Sequence, residues 1–215
     1  SEHNAIFQCL QGEDNKHIRR VILTASGGPF RGYSDEQLKK VSLEDALKHP
    51  TWTMGAKVSI DSSTLMNKGL EMIEAHWLFN VSPDQIEVVV HRQSIIHSMV
   101  EFQDGSIIAQ MNEPDMMNPI QYVITYPERI FGMFKPFDFS RQIALNFEDP
   151  DTKKFFCLEL AYQAIREGKS VACYMNAANE VLVSRFLNKE IVWRDIAEKL
   201  EKLMLRHHPQ ELLTL

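Results

Sequence analysis

Between Met54 and Trp77 the chain changes its hydrophobic period, and that change limits what it can fold into. Residues 57–60 alternate as a short strand does. From Leu65 onward, Met66, Leu70, Ile73 and Trp77 step by four, three and four, the spacing of a helix with one buried stripe. Between the two patterns, Asp61-Ser62-Ser63-Thr64 is a run of residues that cap helix N-termini. The expectation is a strand feeding a capped helix that begins after Ser62. Off the stripe stand Asn67, Lys68 and Glu71, which at about 100° per residue share roughly a quarter of the helix circumference. An amide, a cation and a carboxylate beside free helix N–H groups suit an anion next to a metal ion. The same residues also read as a solvated face with an ordinary i,i+3 pair, and spacing alone does not choose.

Upstream, a short helix is expected over 3–10 and a strand over 19–25, running into Ser26-Gly27-Gly28-Pro29-Phe30. A strand ending in Ser-Gly-Gly either brings backbone N–H groups up to an anion or simply turns. Ser34-x-x-Gln37 and Ser42-x-x-Asp45 resemble capping boxes of two short helices over 34–41 and 42–48. His49-Pro50-Thr51-Trp52-Thr53-Met54-Gly55 then makes a loop whose Trp52 is either a lid or a ring tucked onto the core.

Downstream, strands are expected over 86–91, 98–102 and 106–111, with Gln103-Asp104-Gly105 as a hairpin turn. They read as a β-meander with one apolar face, which a second copy of the chain could cover as a homodimer. His91 and His97, six apart, fit no standard ligand pair and read as hydrogen-bonded core or interface histidines. Prolines and aromatic residues mark 126–150 as a connector, and the pattern beyond is helical, over 153–167, 174–187 and 193–206, with Gly168 as a stop. The apolar tail Leu212-Leu213-Thr214-Leu215 is left over, as if the bundle were cut short. The fold class is α+β. It comprises a catalytic domain over 1–125 with a small open β-sheet and flanking helices, a connector over 126–152, and an incomplete helical bundle over 153–215.

A net charge of −6 without a run of five like charges argues against nucleic acid as a partner. No apolar run approaches the roughly 18 residues of a membrane span. Three widely spaced cysteines, Cys9, Cys157 and Cys173, form no CxxC pair and read as buried or partly buried thiols of a reducing compartment. The N-terminus carries no signal or transit sequence and no starting Met, which points to a processed or truncated chain.

Several long motifs carry a family resemblance. They are Ser1-Glu2-His3-Asn4-Ala5-Ile6-Phe7-Gln8, Ser26-Gly27-Gly28-Pro29-Phe30, His49-Pro50-x-Trp52-x-Met54-Gly55-x-Lys57 and Asp61-Ser62-x-Thr64-x-Met66-Asn67-Lys68-Gly69-Leu70-Glu71. His91-x-Gln93-Ser94-x-Ile96-His97-Ser98-Met99, Glu113-Pro114-Asp115-Met116 and Asn176-Ala177-Ala178-Asn179-Glu180 continue the match to about residue 190. Together they resemble the 1-deoxy-D-xylulose 5-phosphate reductoisomerase family, which makes methylerythritol phosphate in the non-mevalonate isoprenoid pathway. Family members hold Mg²⁺ or Mn²⁺ with an Asp-Ser-Glu triplet and a later helical Glu. The resemblance therefore implies metal ligation by Glu2 and Glu71 beside Ser1, the triplet's Asp being absent from this chain. It implies phosphate binding by Ser26, Ser62, Asn67 and Lys68 with His49 nearby, a lid at Trp52, and contact with NADPH at Gly55 and Met116. Glu2, Glu71 and Lys68 become the catalytic set.

A hard cation prefers carboxylates and substrate oxygens, which suits Glu2 and Glu71. From Lys68 to Glu71 is about one turn, roughly 5 Å of rise, comparable to the distance from a sugar's phosphate to its carbonyl end. On a regular helix Ser62 would lie about 13 Å from Glu71, so it is expected to fold back in the strand-to-helix turn. No Gly-rich dinucleotide fingerprint stands in these 215 residues. The expectation is a fragment without reductoisomerase activity of its own, from a bacterial cytoplasm or a plastid stroma. The competing readings are a non-catalytic sugar-phosphate-binding or dimerisation module, and another metal-dependent enzyme such as an aldolase.

Overall fold

The computed structural model describes residues 1–132, 134, 136–140 and 144–211; the apolar tail at 212–215 lies outside them. Packing divides the chain into two compact units that do not follow chain order. One is Ser1–Ser26 with Phe79–Asp149, and the other is Gly27–Leu78 with Pro150–Leu215.

The first unit is built on a four-stranded sheet in the order β2-β1-β3-β4, with β1 Ile18–Ala25, β2 Ile86–Val90, β3 Ile96–Phe102 and β4 Ile107–Met111. β1 pairs parallel with β2, setting Val21 opposite Ile86, and antiparallel with β3, setting Ile22 opposite Met99. The four strands fall close to where their β-branched runs placed them, but not as a meander. β1 inserts between β2 and β3, because a strand apolar at consecutive positions needs neighbours on both edges and cover on both faces. Helix α1, Glu2–Cys9, packs on β3 and β4 through Ala5 and Ile6. Helix α6, Met117–Thr125, was not foreseen. It is tied to α1 by the Asn4 side-chain amide, which donates to the Pro119 carbonyl at 3.3 Å. The connector is pinned to β2 by mutual backbone bonds between Val90 and Glu148.

The second unit is helical: α2 Asp35–Leu38, α3 Leu43–Ala46, α4 Ala56–Thr64, α5 Met66–Phe79 (all but its last residue), α7 Phe156–Glu167, α8 Val171–Leu187 and α9 Trp193–Arg206. Both capping boxes read from Ser34 and Ser42 are formed. Gly168, at φ +71°, ends α7 as expected. The strand expected over 57–60 is instead part of α4. Four alternating residues are too few to separate the two periods, and Ser59, Ile60, Ser63 and Thr64 are buried together at helical spacing. The stripe of α5 also differs from the one expected. Met66, Gly69, Met72 and Ala75 are buried, while Trp77 is 75% exposed. Gly69 explains the shift, since a Cβ there would lie 2.6 Å from the Ala161 Cβ, so α5 and α7 approach at the one residue without a side chain. Among the described residues no helix is long and apolar enough to cross a membrane.

Candidate active site

In the second unit, α4 ends where Leu65 takes a left-handed backbone (φ +61°), and α5 restarts at Met66. Ser62 therefore lies in the last turn of α4, not in a turn after a strand. The expectation that the helix starts after it is wrong, and the run Asp61–Thr64 closes one helix rather than opening another. Asp61, Ser63 and Thr64 are buried; Ser62 is half-buried. Gly28, at φ +69°, would bring a Cβ to 2.5 Å from the Ser62 carbonyl oxygen, so the Gly-Gly-Pro loop lies directly against this turn and only glycine fits.

On the first turns of α5, Lys68 Nζ donates to Glu71 Oε2 at 2.5 Å, and Asn67 Nδ2 donates to Oε1 at 2.6 Å. Lys68 is only 4% exposed. That overturns the solvated-face reading, since an ammonium out of water is stable only when paired and hydrogen-bonded. One carboxylate, one cation and one amide are thus tied together by two hydrogen bonds.

The loop after α3 is organised by His49. Its Nδ1 accepts from the backbone N–H groups of Thr51 (3.1 Å) and Trp52 (2.9 Å), which leaves the ring proton on Nε2. Burial, with the Arg31 cation adding to it, pushes the His49 imidazole below its ordinary range. Trp52 is half-buried, and exposed Gly55 caps the start of α4.

In the first unit, Ser1 Oγ donates to Glu2 Oε2 at 2.8 Å at the start of α1. A crevice there is lined by Ser1, His97, Gln110 and Asn112. Burial pushes His97 below its ordinary range, with the Glu2 carboxylate opposing. Ser26 ends this unit just beyond β1, half-buried, and Met116, 44% exposed, precedes α6. His91 is structural, as expected: Nε2 accepts from the Ile95 N–H (3.2 Å), so Nδ1 donates to the Asn146 carbonyl (2.9 Å). Cys9 and Cys157 are buried, and burial pushes their thiols up to about 11 and about 12. Cys173 is exposed, contrary to expectation.

The structure thus brings Asn67, Lys68 and Glu71 together, Ser1 with Glu2, His49 with the backbone of Trp52, and the Gly28 loop with Ser62. Ser1, Glu2, Ser26 and Met116 belong to the first unit, and His49, Trp52, Gly55, Ser62, Asn67, Lys68 and Glu71 to the second. Among the described residues, no three His, Cys, Asp or Glu side chains are grouped to hold a metal by themselves. The sequence reading missed Asp61, Ser63 and Trp193, and gave Asn179 no role. The one available signal was Asn179, a polar residue in the buried stripe Met175, Asn179, Leu182, Val183, Phe186 of α8.

Residues 1–79 match the profile of the 1-deoxy-D-xylulose 5-phosphate reductoisomerase C-terminal domain, and residues 111–215 match that of the DXP reductoisomerase C-terminal domain. The chain belongs to the 1-deoxy-D-xylulose 5-phosphate reductoisomerase family. The reductoisomerase of Protochlamydia amoebophila is 63% identical over 207 residues, covering 96% of this chain and 54% of that protein. That of Chlorobium phaeovibrioides is 54% identical over 215 residues, covering 99% and 56%. The chain therefore spans about half the length of the curated reductoisomerases it matches. Among solved structures, the Zymomonas mobilis reductoisomerase in complex with NADPH superposes with a TM-score of 0.92 at 45% identity, covering 100% of this chain and 55% of that one. A reductoisomerase in complex with NADPH, fosmidomycin and magnesium gives a TM-score of 0.90 at 45% identity, covering 95% and 52%.

Proposed function

We propose that this chain provides the metal- and substrate-binding part of an enzyme converting 1-deoxy-D-xylulose 5-phosphate to 2-C-methyl-D-erythritol 4-phosphate, in non-mevalonate isoprenoid synthesis. The observation that carries the reading is the buried Lys68, closing with Asn67 on both oxygens of Glu71. A buried cation–carboxylate pair costs desolvation and is weak evidence for stability, so its place in a family of sugar-phosphate enzymes favours function.

The donor chemistry fits Mg²⁺ or Mn²⁺. Such ions are held by one or two carboxylates, with the remaining positions taken by water and substrate oxygens, and Glu2 and Glu71 supply two carboxylates. When bound, the cation supplies Lewis acidity at the substrate's hydroxyl and carbonyl oxygens, and NADPH supplies hydride. This chain's residues do the rest. Ser26, Ser62, Asn67 and Lys68 hold the phosphate, and its remote binding energy orients the reacting carbons. His49 belongs to the same phosphate-binding set, while its Nδ1 shapes the loop that carries Trp52 over the substrate. Gly55 and Met116 are the residues that would contact NADPH. In chain order, 1–125 is the catalytic domain, 126–152 the connector and 153–215 the bundle. On this assignment the 215 residues do not complete turnover by themselves. The setting is a reducing one, bacterial cytoplasm or plastid stroma, which suits the unpaired thiols of Cys9 and Cys157. A homodimer is part of the same reading, and what supports it is β4, an edge strand with Ile107 51% and Ile108 40% exposed.

The test is Lys68→Ala with fosmidomycin as the titrant. Binding should weaken by about 1–3 kcal/mol, the scale of a charge-assisted contact. Unchanged affinity contradicts the site.

A further inference from the structure

The residues behind the phosphate-binding turn have a pattern of their own. Asp61, 1% exposed, is held on both oxygens: Lys57 Nζ lies 2.6 Å from Oδ2, and Asn179 Nδ2 of α8 donates to Oδ1 at 2.9 Å. Ser63, fully buried, accepts from the Trp193 indole N–H of α9 at 2.9 Å and donates its own hydroxyl hydrogen bond to the Ile60 carbonyl at 2.6 Å. Thr64 Oγ1 accepts from the Met66 N–H across the break at Leu65. Ser62, half-buried between them, is the member of this run that the phosphate reading assigns to the ligand. The same indole stands edge-on to Phe30 at 5.4 Å, and Phe30 follows the Gly27-Gly28-Pro29 loop. One side chain on α9 therefore fixes both segments whose separation defines an anion site here. Asn179 is fully buried and its Oδ1 has no partner, a cost that an apolar residue of similar size would avoid; it is kept for its donor.

Resting on the phosphate-site reading above, we propose that Trp193 and Asn179 are positioning residues. From the C-terminal helices they set the spacing between the Gly27-Gly28 loop and the Ser62–Lys68 turn, and so the affinity for a phosphate group that neither of them touches.

The test uses the full chain with inorganic phosphate as the probe, read by titration, together with hydrogen exchange at the amides of residues 61–68. Trp193→Phe keeps a ring against Phe30 but removes the donor; Ser63→Ala removes the acceptor without altering the core aromatic. Each should weaken phosphate binding by roughly 3- to 10-fold, the scale of one neutral hydrogen bond. Exchange should quicken over 61–68 while the amides of β1 and β3 keep their protection. The double variant should bind no more weakly than the worse single, because both remove one link. Losses that add instead would overturn the link between Trp193 and Ser63. If Ser62→Ala weakens binding while Trp193→Phe and Ser63→Ala stay within about twofold of wild type, the positioning role falls and the phosphate site stands. Wild-type chain that binds no phosphate overturns the site itself and the proposal with it. Should Trp193→Phe fail to fold, Ser63→Ala decides the question alone.

Discussion

His49 shows how one side chain can carry two local jobs. Its Nδ1 accepts two backbone N–H groups, a task open only to the unprotonated ring. Burial and Arg31 hold its pKa below the unfolded value of 6.5. The unfolded chain then binds more protons as pH falls through 6.5, so the stability contributed by neutral His49 is present above that pH and declines below it. The amide proton shifts of Thr51 and Trp52 should titrate with a midpoint below 6.5. His49→Asn, whose carbonyl accepts the same bonds at any pH, should flatten the titration. Persistence of the titration in the Asn variant would show that another group drives it. Much at this scale was legible beforehand: Asn67, Lys68 and Glu71 share a helix face by spacing alone. Whether that face was wet or buried was not, because burial of Lys68 is decided by what packs over it and not by its neighbours in sequence.

At the scale of elements, the reading succeeded where a pattern was long and failed where it was short. The helices α7, α8 and α9 and the four strands stand where their apolar periods put them. Residues 57–60 offered four positions, and tertiary burial of Ser59, Ile60, Ser63 and Thr64 overrode the β-preference of Val58 and Ile60. The α5 stripe was misplaced by counting large apolar residues. The packed face instead runs through Gly69, where closeness to Ala161 replaces a side chain. Gly69→Ala would ordinarily gain helix propensity, yet its Cβ has no room, so thermal unfolding should show a loss of about 1–3 kcal/mol. Combining it with Ala161→Gly should recover most of that loss; a neutral single variant would mean that α5 and α7 are not in contact there.

For the whole molecule, the exposed edge of β4 bears on assembly. An edge strand carrying Ile107 and Ile108 in water invites pairing with another chain, and a lysine there is the usual defence. Sedimentation equilibrium should find a homodimer that Ile107→Lys shifts towards monomer; a wild-type monomer at all concentrations removes the dimer from the account. The interleaving of the two packing units lay beyond sequence patterns, since no periodicity reports that Gly27–Leu78 packs with Pro150–Leu215. The central proposal is metal ligation by Glu2 and by Glu71. The direct measurement is Mn²⁺ binding in the presence of fosmidomycin, followed by the electron paramagnetic resonance of free Mn²⁺. Glu2→Gln and Glu71→Gln should each lower Mn²⁺ affinity by roughly tenfold or more, and the double variant should bind more weakly than either. Mn²⁺ affinity unmoved by Glu71→Gln would contradict the account.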